Sequence, residues 1–428
     1  MNKIVQIFFL VFLPFYPLWS WLIYTVMGKT PSFFLIFILF PLTFYLIIVK
    51  KTRVPIYLLF LILFTIYHIS TSFINNTFPP GSHPVLAVLT DINVLACAFF
   101  FIIENSSFDK PFISKMNKFI FLIILISLAV SIIQIFIPGF FVSPELIETV
   151  DNSYLSQGRN FSIYSWSDLN TVGISFPIMI SILLSTESLK GRISSSLIFS
   201  GIVVPFLTRS RYVMVSALVV LSQLFFNARF NLKKKIILLV VFVGVFVLLI
   251  SLAKLSNFDI QQVVNERILE RNSGLHSARV RITSLFVFLE KFPENPWFGV
   301  GPQTRDDVLI LLGGLAPVIH VGYLSYLYYY GIFGCLLFFI SLFYILKKAW
   351  RVGKTYMFWG SFYGFLSFCL ANVTFVYFNL SEMGIILGMI YLKYYQGQPV
   401  SEAPKSGNKP KLGYFPYKKS VRSEQKLA

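Results

Sequence analysis

His320-Val-Gly-Tyr323-Leu-Ser-Tyr-Leu-Tyr-Tyr-Tyr-Gly331-Ile-Phe-Gly334 runs without interruption into Cys335-Leu-Leu-Phe-Phe-Ile-Ser-Leu-Phe-Tyr-Ile-Leu346. A histidine-led, polar beginning thus becomes an apolar run long enough to enter a membrane. The stretch closes a segment, Lys254 to Gly334, that is the longest part of the chain without a spanning pattern, apart from the tail. That segment also carries His276, Arg279, Arg281 and the run Asn295-Pro-Trp-Phe-Gly-Val-Gly-Pro302. Polar residues held against a membrane need a chemical reason to be there, so the rest of the chain is read outward from this point.

Hydrophobic residues make up 56% of the 428 and charged residues only 13%. A water-soluble globule could not hide that much apolar surface, and the repeated apolar runs predict an all-α, polytopic membrane protein. About twelve spans are expected, each needing ~20 residues to cross ~30 Å of hydrocarbon. They fall near 4–27, 32–49, 54–70, 84–103, 118–137, 171–186, 194–208, 212–228, 236–253, 318–346, 355–376 and 383–395. The apolar run after Met1-Asn2-Lys3 has no small-residue cleavage site, so it is expected to stay as the first helix. Residues 1–395 then form one transmembrane helical domain. The tail, 396–428, is basic, rich in Ser, Pro and Gly, and without apolar periodicity, which predicts disorder.

The net charge of +18 does not point to nucleic acid, because the basic residues sit mostly in short loops between apolar runs. Lys50, Lys51 and Arg53, the lysines at 110, 115 and 118, Lys190 with Arg192, Arg229 with the lysines at 233–235, and Lys347 to Lys354 all fall on one side. Positive charge marks the cytoplasmic side. Both termini are therefore expected inside, with the loops 138–170 and 254–318 outside, the latter between the ninth and tenth spans. Arg159, Arg209, Arg211, Arg279 and Arg281 are exceptions on the outer side. Arginine offers a planar fork of donors suited to phosphate oxygens; the alternative is headgroup contact.

Individual residues divide in the same way. Nearby arginines would keep His320 neutral and able to accept a proton from a hydroxyl; otherwise it is an interfacial histidine bonded to backbone. Arg279 and Arg281 lie on or just before a helix marked by Ile282, Leu285, Phe286 and Leu289, a spacing that predicts an amphipathic helix on the membrane or against the bundle. Two positions apart on a helix means about 200° of rotation, so the two arginines cannot both address one site. Asp91, inside the 84–103 span, is read as a structural hydrogen-bonding group rather than an ion-coupling one. Asp306-Asp307 lack a third ligand at a recognisable spacing and are read as solvated. Cys97, Cys335 and Cys369 fit neither a zinc site nor a disulfide framework, and no Gly-rich phosphate loop is present.

Four elements in order resemble a known family. Leu207-Thr-Arg209-Ser-Arg211 opens a helix; Arg159 precedes Asn170; Ser277-Ala-Arg279-Val-Arg281 leads to Asn295-Pro-Trp-Phe-Gly-Val-Gly301; and His320-x-x-Tyr323 leads to Gly331-x-x-Gly334. Together they are similar to the O-antigen ligase and O-antigen polymerase superfamily of bacterial inner-membrane glycosyltransferases. That resemblance implies a GT-C-like helical architecture, a site facing the periplasm, and no cofactor or metal. Its substrate would be a polyprenyl-pyrophosphate-linked oligosaccharide serving as donor and acceptor, with membrane lipids and a chain-length regulator as further candidate partners. It implies catalytic roles for His320, Arg211 and Arg281 or Arg279, and substrate contacts for Arg159, Asn170, Arg209 and Tyr323. Polymerase is the preferred member, with ligase to lipid A–core as the alternative. A transporter or flippase using Asp91 at midplane is the reading from a different class.

Overall fold

The computed structural model describes residues 2–27, 31–49, 52–77, 83–137, 139–141, 160, 162–163, 169–186, 192–208, 211–226, 276–316, 319, 321–373 and 378–399. Every regular element among them is helical. In chain order these are α1 (Asn2–Phe12), α2 (Tyr16–Met27), α3 (Pro31–Val49), α4 (Ile56–Ile74), α5 (Pro84–Leu89), α6 (Ile92–Glu104), α7 (Lys110–Phe136), α8 (Leu169–Ser185), α9 (Arg192–Leu207), α10 (Arg211–Phe226), α11 (His276–Lys291), α12 (Arg305–Leu311), α13 (Gly322–Tyr356), α14 (Gly360–Ala371) and α15 (Met383–Gln396). Among the described residues, α4, α7 and α13 are long and apolar enough to cross a membrane, and α3, α6, α8, α9, α10 and α14 contain shorter apolar helices. The expected span at 236–253, the loop 142–159 and the tail from 400 lie outside the described residues.

Three predicted spans are interrupted where hydropathy shows no sign of it. The first bends by 72° between α1 and α2. Pro14 lies at that break, and proline can neither donate to the helix ladder nor fit against the preceding turn. The span at 84–103 divides at Thr90-Asp91. The Asp91 carboxylate accepts from the backbone of Asn93 at 2.8 Å and Val94 at 3.3 Å, capping α6. The third break, at Gly331 inside α13, shapes the candidate site.

Close crossings hold the C-terminal half together. A Cβ at Gly360 would stand 2.7 Å from Ile182 Cα, and one at Gly384 would stand 2.6 Å from Ser175 Cα. Gly360 and Gly384 thus let α14 and α15 each approach α8 backbone to backbone, Gly364 seats the Ile178 side chain of α8, and Gly388 seats the Phe365 ring of α14. Serines bond across the seams. Ser181 donates to Gly360 O at 2.7 Å, Ser361 to Gly388 O at 2.9 Å, and Ser175 accepts from Gly384 N at 3.0 Å. Lipid gives helices no hydrophobic reason to associate, so this close packing and these bonds carry the association.

At the opposite end from the Gly331 break, Glu104 closes α6 between two lysines. Lys348 of α13 bonds its carboxylate, Lys393 of α15 donates to its backbone carbonyl at 2.5 Å and approaches its carboxylate at 3.4 Å, and Tyr57 of α4 donates to it at 2.7 Å. Glu104 and Lys348 are both largely buried. Removing one partner of a buried pair typically costs about 3–5 kcal/mol, because the other charge is left uncompensated. Glu104→Ala is therefore expected to lower the melting temperature of the detergent-purified protein clearly, and pairing it with Lys348→Met to recover much of the loss.

Candidate functional site

The site is built around the break in α13. Gly331 has φ 60° and ψ −170°, which splits the helix into an outer half, Gly322–Tyr330, and a long half beginning at Ile332. Such a break strands the amides that start the second half and carbonyls that end the first. The motif Asn295–Gly301 supplies their partners. Ile332 N donates to Pro296 O at 2.9 Å and Phe333 N to Trp297 O at 3.0 Å, while Tyr328 O accepts from Val300 N at 3.0 Å and Tyr329 O from Gly301 N at 2.7 Å. The crossing is so close that a Cβ on Gly331 would stand 2.5 Å from Gly299 N, and one on Gly299 would stand 2.5 Å from Gly331 N. The Asn-Pro-x-x-Gly-x-Gly run and the glycine of α13 are thus two halves of one main-chain junction.

Residues of α4 fasten the junction from behind. Asn75 donates to Val300 O at 2.5 Å and to Pro302 O at 3.1 Å, and the Tyr67 hydroxyl donates to Phe298 O. His68 bridges Tyr330, at 2.8 Å from Nδ1, to Asp91, at 2.9 Å from Nε2. Asp91 thus has a cap and a histidine partner, the structural use expected of it. His68 was not singled out from the sequence; its only signal there was a histidine inside an apolar run.

Above the junction, α11, α12 and the outer half of α13 enclose a second small core of Val280, Val308, Leu312, Ala316, Ile319 and Tyr328. Thr304 and Asp307 start α12 with a reciprocal capping box, so that carboxylate belongs to a helix start rather than to a loop. The small core determines which way α11 faces. Val280 and Ser284 are buried, whereas Ile282, Leu285, Phe286 and Leu289 are exposed. The amphipathic helix is present as expected, but its apolar stripe faces away from the bundle. Arg281 flanks the buried side, one turn before Ser284. Its Nε is buried with no hydrogen-bond partner among the described residues, and burial draws its pKa down from the usual arginine value. Position 279 shares the helical register of the outward residues Ile282 and Phe286.

The other expected site residues are placed unevenly. Arg211 is the first residue of α10, and Asn170 lies in the first turn of α8, each described here by backbone only. Arg159, Arg209 and His320 lie outside the described residues. Ile319, the chain neighbour of His320, is buried in the cap core. Asn160, the neighbour of Arg159, donates to Ser131 O at 2.6 Å; nearby Ser162 accepts from Gln134 at its carbonyl, 3.0 Å, and donates to Ser127 O at 2.7 Å, all on α7. Tyr323 donates to Cys369 O at 2.9 Å and packs on Phe339 and Phe378. Its hydroxyl thereby ties the outer half of α13 to α14. Among the described residues, no three His, Cys, Asp or Glu side chains are grouped to hold a metal.

Residues 196–339 match the family model described as O-antigen ligase. A comparison with curated proteins finds no match. The matched stretch is about a third of the chain, and it holds Arg209, Arg211, Arg279, Arg281, both sides of the glycine junction and His320. Over this segment the chain resembles the O-antigen ligase family, and the match supports the O-antigen ligase and polymerase superfamily.

Proposed function

We propose that this protein polymerises polyprenyl-pyrophosphate-linked oligosaccharide units into a surface polysaccharide, an O-antigen or capsule, at the periplasmic face of the inner membrane. The observation that carries the reading is Arg281. A guanidinium with a buried, unpartnered Nε is unfavourable unless an anion meets it, and a pyrophosphate supplies that anion. In this reading the chain is GT-C-like, with about twelve spans and cytoplasmic termini.

The chemistry is a single displacement. The acceptor sugar hydroxyl gives its proton to His320 as its oxygen bonds the anomeric carbon. The bond from that carbon to the pyrophosphate oxygen breaks, and the electron pair leaves with polyprenyl pyrophosphate. Arg281 and Arg211 stabilise the charge that gathers there, so the displacement needs no metal. Arg209, Arg159 and Asn170 line the glycan or phosphate path. Attack opposite the leaving group inverts the anomeric configuration. Because the leaving group arrives already activated, no nucleotide site is required.

Transfer to lipid A–core is the second reading, and the description of the matched family favours it as much as polymerisation. Purified protein incubated with a synthetic lipid-linked oligosaccharide separates the two. Elongation with that substrate alone supports polymerase. A product only when lipid A–core is added means ligase, and no product with either removes the transferase reading.

A further inference from the structure

We infer that α11 and the turn after it lie in the bilayer interface, with the helix's outward face resting on acyl chains. Ile282, Leu285, Phe286, Leu289, Trp297 and Phe298 are each between 43% and 65% exposed, and they form one apolar strip from helix to turn. Water would not favour so large a continuous patch. The strip does not end in isolation. Phe298 meets Phe333 ring to ring at 5.9 Å. Phe333, with Leu336 and Phe343 below it, is exposed along α13, a helix long and apolar enough to cross the membrane. The strip therefore continues a surface that already faces lipid.

The level follows from length. Between Phe333 and Lys347, where the basic residues of α13 begin, the helix rises about 21 Å at 1.5 Å per residue, short of the ~30 Å of hydrocarbon. Phe333 then stands among acyl chains, in the half of the bilayer away from Lys347. Phe298 touches it, which brings the turn after α11 within about 10 Å of the headgroup boundary, the depth an interfacial helix reaches. Trp297 is the residue type enriched at that boundary. Glu290 and the Lys291–Glu294 pair, 3.0 Å apart, keep the helix's other flank polar, as an interfacial helix requires.

Depth-resolved spin labelling of the full chain tests the inference. The native cysteines would be replaced by alanine, and Phe286→Cys, Leu289→Cys and Asp306→Cys would each carry a nitroxide. Each labelled protein would be reconstituted into nanodiscs of phosphatidylethanolamine and phosphatidylglycerol. Relaxation by dissolved oxygen is expected to exceed relaxation by a water-soluble nickel chelate several-fold at 286 and 289, and the order to reverse at 306. Strong nickel access at 286 and 289 would place the strip in water and overturn the inference. Protection from both agents would mean that protein covers the strip, from this chain or a second copy, and would overturn it equally. Melting temperatures near that of the unlabelled protein show that each label reports on the folded chain.

Discussion

Gly331→Ala is expected to destabilise the protein by about 2–6 kcal/mol and to leave little glycan transfer. Two effects add. The conformation at Gly331 is one that L side chains scarcely adopt, a strain of about 1–3 kcal/mol. The new methyl would also stand 2.5 Å from Gly299 N and from the Trp297 carbonyl, all backbone that cannot swing aside; forced overpacking of this kind costs roughly another 1–3 kcal/mol. Relief requires the Asn295–Gly301 strand to lift, and lifting it uncovers Ile332 N, Phe333 N and the carbonyls of Tyr328 and Tyr329. Gly334→Ala provides the comparison. Gly334 has no left-handed φ, so its methyl would meet Tyr330 Cβ and the Tyr67 ring without the added backbone strain, and a smaller loss is expected. Melting curves of the two variants in detergent, measured beside activity on a lipid-linked oligosaccharide, check the ordering. Equal melting temperatures for Gly331→Ala and the native protein would show that the junction does not hold the outer half-helix.

Arg281→Ala should lower glycan transfer by ~10²–10³, the typical loss when a donor to developing charge is removed. It should do so without lowering stability, and this combination is diagnostic. A buried guanidinium atom without a partner costs free energy in the resting protein, so deleting it leaves the fold as stable or more so. A structural arginine would show the reverse, a falling melting temperature with activity lost in proportion. Arg279→Ala, on the opposite register of α11, is expected to change the rate by only a few fold. His320→Ala and Arg211→Ala are expected to abolish product at unchanged protein level. Near-native turnover in the Arg281, His320 or Arg211 variant would remove that residue from the mechanism.

Much of this was legible in the sequence because it is local. The stripe Ile282, Leu285, Phe286 and Leu289 announced α11 by its spacing alone. The motifs pointed to the superfamily that the 196–339 match supports. The interruptions at Pro14, Thr90-Asp91 and Gly331 were not legible, because hydropathy reports which residues are apolar and not which dihedrals they hold. Partners far apart in the chain were hidden too. Nothing in the spacing of His68, Asp91 and Tyr330, or of Glu104, Lys348 and Lys393, shows that they meet. Which of positions 279 and 281 lies nearer the packed face of α11 needed the small core around Val280, Val308 and Tyr328, since helical periodicity separates the two faces but does not say which one packs.

The contact between Gly299 and Gly331 has a bearing on how such a protein can diversify. It consists of main-chain atoms alone, so it is indifferent to the side chains beside it. The side chains of Trp297, Phe298, Val300 and Tyr329 can each change while the fulcrum beneath them stays put. What lineages cannot change is the absence of a side chain at two positions, and that absence is the part of the design they would be expected to inherit unaltered.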